Sequence, residues 1–247
     1  MDSIFSSLAT KKYKERSGKI QEVQDLIKKL EEYHKIKVIF ATLHETKEIG
    51  FNYGKGETGV RFIYARTPEE YRMNKPYEVL DFTEHNVVFK GYDLPVAMNM
   101  QSRNDTEFYE IMHSPIAHIG DYGIYNLFIE HNKYFDKSKL LKSYFDLGRT
   151  NFNNHGCDIP SVLKMKDIKG YIVTIICVLQ CNRLLNDLEP EYKIKELLKD
   201  LPKDYKKHYK AFVRTYETRN LKIGYTELAD LNSYLYKNLQ SLKKKIN

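Results

Sequence analysis

Glu57 and Gly59 bear most directly on what chemistry this chain can do. They open the second of two candidate strands in KVIFATLHETKEIGFNYGKGETGVRFIY, residues 37–64. That stretch reads as a strand, a short polar turn, the pair Gly50 and Phe51, a Gly-rich connector and a second strand. A turn of this kind lets backbone N–H groups approach phosphate oxygens. Two carboxylates one residue apart on a strand point to the same side and can share a Mg2+ ion. A metal clamp built that way supports in-line phosphoryl transfer. Here the two alternate positions hold one carboxylate, Glu57, and one residue with no side chain, Gly59. The layout for gripping phosphates is kept while half of the metal-binding pair is missing. In so Gly-rich a connector, Glu57 reads more simply as a solvent-facing turn residue than as a metal ligand.

The elements that must position these residues follow from periodicity. Ile20 to Tyr33 carries apolar residues at helical spacing with charges between them, an amphipathic helix. Val38 to Leu43 and Val60 to Ala65 are rich in β-branched and aromatic residues and read as neighbouring strands of one mixed sheet. Tyr77 to Phe82 and Val87 to Phe89 are shorter strand candidates. Pro95 to Ser102 and Thr106 to His113 read as helices, with Pro95 in a first turn and Asp105 as an N-cap. Beyond about residue 121 every segment has helix spacing: 122–135, 137–150, 161–187, 190–200, 203–219 and 225–246. The fold class is therefore α+β, a mixed sheet with flanking helices followed by a C-terminal helical bundle. It divides into residues 1–120 and 121–247.

Composition narrows the class of protein. A chain of 247 residues buries a substantial core, and its high charged fraction suits a globular protein in water. A net charge of +7 and a pI near 9.0 permit contact with nucleic acid or an acidic partner without demanding it. Cys157, Cys177 and Cys181 lack metal-ligand spacing. The last two sit four apart in an apolar run, as buried thiols on one helix face, which suits a reducing cytoplasm. The first eighteen residues have no long apolar core of the signal-peptide type, and the apolar run Tyr171 to Leu179 is too short to span a bilayer. No membrane association is expected. Twenty Tyr, abundant Lys and Asn, and no Trp fit an AT-rich coding genome, such as that of a phage or a low-GC bacterium.

Several segments, taken in order, resemble a known family. They are GVRFIYARTPEEY at 59–71, FKGYDLPVAM at 89–98 and FYEIMHSPIAH at 108–118, with weaker pieces at 139–152 and 169–185. Together they are similar to the predicted nucleotidyltransferases associated with RNA ligases, the RlaP or YcgL-like group. The resemblance covers roughly residues 37–185. It implies a nucleotidyltransferase-like sheet, a Gly-Ser turn for the triphosphate, an Asp-x-Asp pair on the next strand and a third acidic position two strands on.

Carried over residue by residue, the family's Gly-Ser turn falls on Glu45 and Thr46. Thr46 still supplies a hydroxyl, whereas Glu45 puts a negative charge where phosphates would sit. Gly50 and Phe51 keep the Gly-Phe pair. Glu57 takes the first acidic position as catalytic and metal residue, Gly59 takes the second, and the third falls near Val88, with Asn86 and Glu84 close by in register. Arg61, Asp93, Lys169 and Arg183 match family positions implied to contact the nucleotide. Each also has a plainer role: an internal ion pair for Arg61, a helix N-cap for Asp93, bundle contacts for Lys169 and Arg183. His113 and His118 flank a Ser-Pro break and read as structural.

Other constellations fail. There is no phosphate-binding Gly-x-x-x-x-Gly-Lys-Ser/Thr, no Gly-x-Gly-x-x-Gly and no Gly-x-Ser-x-Gly elbow. The stretch KDYKKHYKAFVRTY at 203–216 interleaves cations and aromatics, as a nucleic-acid surface would. An amphipathic helix that buries its rings explains it more simply. The terminal SLKKKIN reads as a solvated helix end.

Three functions stay open at this point. The first is a nucleotidyltransferase-superfamily protein with a degenerate site, transfer weak or lost, and residual nucleotide or RNA binding. The second is an active transferase that uses Mg2+ held by displaced carboxylates such as Asp81, Glu84 or Asp93. The third is a non-enzymatic scaffold or inhibitor for a protein partner, as in a phage accessory protein. Oligomeric state, acceptor and preferred nucleotide are not legible.

Overall fold

The structure, a computed structural model, describes residues 17–44, 58–73, 78–85, 87–114, 118–120, 136–155, 164–218 and 224–246, with isolated positions between them. Helix α1 spans Ser17–His34. Val23, Leu26, Ile27 and Leu30 recur at i, i+3, i+4 and i+7 along it and are all buried. The helix ends at Lys35, which takes a left-handed φ of 53°. Strand β1 follows at Lys37–His44 and β2 at Thr58–Ala65. A short helix α2, Pro68–Arg72, starts in a capping box of Thr67 and Glu70 with proline in its first turn. Strands β3, Val79–Glu84, and β4, Val87–Asp93, come next.

A five-stranded sheet results, in the order β3-β4-β2-β1-β5, with β5 at His118–Gly120. It is mixed: β1 and β2 run antiparallel, and β2 and β4 parallel. Val38–Leu43 and Val60–Ala65 are thus adjacent, as their composition predicts. The pleat sends alternate side chains of β2 to opposite faces. Val60, Phe62 and Tyr64 join Ala41, Leu43, Val87 and Phe89 beneath α1. Ile63 faces the other way and packs with Phe40 and Tyr92 against helices α3, Leu94–Ser102, and α4, Thr106–Met112. Each large side chain so buried contributes about 1.5–3 kcal/mol, an upper figure because unfolded chains already bury some surface. Gly91 lies under Phe62: a Cβ there would meet the ring at 2.1 Å.

Five more helices carry the C-terminal half: α5 Lys137–His155, α6 Met165–Leu185, α7 Ile194–Leu197, α8 Lys203–Thr218 and α9 Tyr225–Ile246. Beyond residue 121 the described residues contain no strand. The helix expected over 122–135 lies almost wholly outside the described residues. Helix α6 is the centre of the bundle, with Ile168, Tyr171, Ile172, Ile175, Val178 and Leu179 buried. By length and composition Lys166–Leu185 is apolar enough to cross a membrane, contrary to the expectation from its shorter apolar run, yet 67% of that window is buried inside the protein. Cys177 and Cys181 lie buried on it as free thiols. Burial pushes the Cys181 thiol up to about 12. In α8 the rings of Tyr209, Phe212 and Tyr216 are buried, while Lys203, Lys207, Lys210 and Arg214 are exposed. Those three rings are core, leaving them no part in stacking bases.

Candidate functional site

The parallel ladder between β2 and β4 decides what the expected site contains. Gly59 pairs with Val88 and Arg61 with Lys90. Alternation puts all four on the sheet face away from α1. The positions that the resemblance assigns to the second and, at Val88, the third acidic residue are therefore side by side in space, and neither side chain carries an oxygen. Glu57, Thr46 and Gly50 lie outside the described residues, as do Glu45, Phe51 and Asn86.

Two residues further along the same face, four polar side chains meet. Arg61 Nε lies 3.2 Å from Glu107 Oε1, and Lys90 Nζ lies 2.9 Å from Glu107 Oε2. Glu107 reaches them from the first turn of α4, which Asp105 caps by accepting from the Glu107 N–H at 2.8 Å. Burial alone would raise the Glu107 carboxyl. The neighbouring Tyr92 hydroxyl, the Lys90 ammonium and the Arg61 guanidinium outweigh it and hold the group below its ordinary range. Lys90 also stands 5.3 Å from the Tyr92 ring centroid. The buried Tyr92 hydroxyl lies against the Glu107 carboxylate, whereas the buried Thr42 hydroxyl has no hydrogen-bond partner among the described residues. Thr42 is the register partner of Arg61 on β1.

One helical turn after Glu107, Glu110 is a second carboxyl. Burial raises it to about 8, helped by Glu107 and Asp105 and opposed by Arg61. It looks toward the bundle, where it adds to the upward shift that burial imposes on the Tyr144 phenol. A carboxylate neutralised by two cations and a carboxyl protonated near neutrality are both poor partners for a divalent ion. Gly59 and Val88 offer it nothing. The described residues therefore do not fit a Mg2+ clamp, and no group of three or more His, Cys, Asp or Glu among them is placed to hold a metal.

The other expected residues are dispersed. Asp93 occupies the N-cap position of α3, but its side chain makes no capping bond. It is fully buried, 2.7 Å from the Arg66 guanidinium, and accepts a hydrogen bond from the Tyr71 hydroxyl at 2.6 Å. A ligand reaches it only by breaking that pair. Asp81 and Glu84 sit on the edge strand β3 and line a groove with Lys29, Tyr33 and His34 of α1; Asp81 is also the register partner of Lys90 and so stands beside the polar cluster. Lys169, half-buried, belongs to the first turns of α6, and Arg183 to its last. Fourteen residues of helix separate them by roughly 21 Å, too far to share one small ligand. Arg183 is engaged with Asp200 at 2.9 Å and donates from Nε to the Glu189 carbonyl at 2.9 Å. Lys90, Glu107 and Glu110 went unread in the sequence. Strict alternation in VVFKGYD places Lys90 with Arg61, but nothing local says that α4 folds over that face.

No curated protein matches the chain. A crystal structure of a nucleotidyltransferase-like protein from Exiguobacterium sibiricum 255-15 aligns over 83% of this chain and 69% of its own, with 11% identity and a TM-score of 0.36. That likeness is too slight to carry an argument. The profile of RlaP, the RNA repair pathway DNA polymerase beta family, matches residues 20–247. Since the match takes in the sheet, the Arg61 face and the bundle together, the chain belongs to the RNA repair pathway DNA polymerase beta family.

Proposed function

We propose that this protein binds a phosphate-bearing ligand, a nucleotide or an RNA, on the Arg61 face of its sheet, with little or no nucleotidyl transfer. The observation that carries this reading is the Gly59–Val88 pairing. Metal-assisted transfer needs carboxylates on both sides of that ladder to neutralise attacking and leaving oxygens. A hydrogen atom and an isopropyl group stand there instead. What the face does offer is a pair of cations, Arg61 and Lys90 on adjacent strands, beside the carboxylates of Glu107 and of Asp81, the register partner of Lys90. Cations grip phosphate without a metal, and each charged hydrogen bond contributes about 1.5–3 kcal/mol where water is excluded. Thr46 and Lys169 are further candidates for the phosphate chain.

The test is a titration of the full chain with each NTP and with short RNA, with and without Mg2+, beside an assay for incorporation of labelled nucleotide. Binding in roughly the 0.1–1 mM range, about 4–5.5 kcal/mol, with no incorporation is the expected result. Robust Mg2+-dependent incorporation would overturn the reading in favour of an active transferase. Absence of nucleotide and RNA binding would favour a role in binding protein.

A further inference from the structure

The Arg61–Lys90 pair is not a bare cationic patch. Both cations close on one carboxylate, Glu107, which approaches from a different element. Solvent reaches all three side chains, with exposures of 19%, 27% and 32% for Arg61, Lys90 and Glu107. Beside them stand two buried hydroxyls. Tyr92 is 4% exposed, and its hydroxyl lies against the Glu107 carboxylate. The fully buried Thr42 hydroxyl, on the neighbouring strand, has no hydrogen-bond partner among the described residues, which is costly and uncommon. Glu107 brings one negative charge and two oxygens to two cations, and Asp81, the register partner of Lys90, is the other carboxylate beside them. A phosphate monoester dianion brings two charges and three free oxygens.

We infer that Arg61, Lys90 and Tyr92 form a seat for a phosphate monoester dianion, and that Glu107 is its resident counterion, displaced when the phosphate enters. The inference rests on the phosphate-binding reading above and makes it specific. It names the terminal phosphate, rather than the base, sugar or an internal diester, as the recognised group. A diester carries one charge and gains less by exchange with a carboxylate. The same chemistry is presented by inorganic phosphate, by a mononucleotide and by the phosphorylated end of an RNA strand. Exchange with Glu107 also sets the affinity, because the incoming group must first break two short ion pairs.

The experiment is calorimetry on the full chain with four probes: inorganic phosphate, AMP, and one short RNA bearing either a 5′-phosphate or a 5′-hydroxyl. Glu107→Gln is expected to tighten the three monoester probes by about tenfold, the equivalent of about 1.4 kcal/mol. It should leave the 5′-hydroxyl RNA nearly unchanged. Arg61→Ala with Lys90→Ala is expected to abolish the monoester preference. Tyr92→Phe removes the hydroxyl beside the carboxylate that the phosphate replaces, and it should weaken the monoester probes several-fold. A 5′-phosphate RNA bound far more tightly than AMP identifies the strand end as the source, and equal affinities identify the free nucleotide. Monoester binding that Glu107→Gln leaves unchanged or weakens, with Tyr92→Phe also silent, overturns the inference. If nucleotides then still bind, the broader reading survives without it. Should no probe bind to any variant, both fall.

Discussion

Gly59 and Val88 are register partners in the parallel ladder at the heart of the sheet. On the function proposed here, a carboxylate placed at Gly59 still faces an apolar side chain at Val88. Incorporation of labelled nucleotide is expected to stay at background for the parent protein and for Gly59→Asp alone, with Mg2+ or Mn2+ present. Recovery of activity by that single change would show that the remaining ligands come from elsewhere.

Asp93 and Arg66 give a prediction of a different kind, about stability. Their ion pair is almost wholly out of water, and Tyr71 donates to the same carboxylate. Removing one partner of such a pair strands a buried charge. Asp93→Ala is therefore expected to cost about 3–5 kcal/mol in urea unfolding. Tyr71→Phe, which removes its bond to Asp93 and the one its hydroxyl accepts from the Arg66 N–H at 3.1 Å, should cost about 1.5–3 kcal/mol. An Asp93→Ala protein as stable as the parent would mean that the pair contributes nothing net.

Gly91 tests the packing beneath α1. An added methyl would meet three atoms of the Phe62 ring at 2.1–2.7 Å. Gly91→Ala should destabilise by about 1–3 kcal/mol through overpacking. Combining it with Phe62→Leu should cost less than the sum of the two single changes, because the smaller side chain yields the space. Additive losses in a double-mutant cycle would place the strain elsewhere.

Glu110 makes stability depend on pH. Its folded value of about 8 lies above the ordinary 4.5. Below about pH 4.5 both states hold the proton and the group costs nothing. As pH rises toward 8 the unfolded chain releases the proton and the folded one keeps it, so stability falls across that window. Glu110→Gln removes the titration. It should match the parent near pH 4 and gain about 1–3 kcal/mol at pH 9, or about 2–4 °C in Tm for each kcal/mol. Parallel Tm-versus-pH curves for the two proteins would exclude the effect.

Much of this architecture was legible in the sequence, since alternation and 3.6-residue periodicity act locally. The strands at 37–44 and 58–65, the helix over 17–34 and the Asp105 cap follow from neighbours in the chain. The polar cluster was not legible, for a physical reason. Glu107 and Arg61 are 46 positions apart in sequence, and only the docking of α4 onto the sheet brings them together. Asp93 shows the converse. Its position before a proline-bearing first turn predicts a cap, yet a buried guanidinium competes for the carboxylate and wins, because a buried charge must find an opposite one.

Helix α4 is only seven residues long, yet it serves two masters. Glu107 fastens its first turn to the sheet. Tyr109 belongs to the hydrophobic core of the bundle, donates to Glu189 at 3.2 Å and stacks on His113 at 4.3 Å. Two turns of helix are too short to bend between those duties. Helix α4 therefore ties the segment before residue 121 to the bundle after it. A cut there would carry Tyr109 off with the sheet and leave a ring-sized hole in the bundle, so the two halves should melt together rather than one after the other.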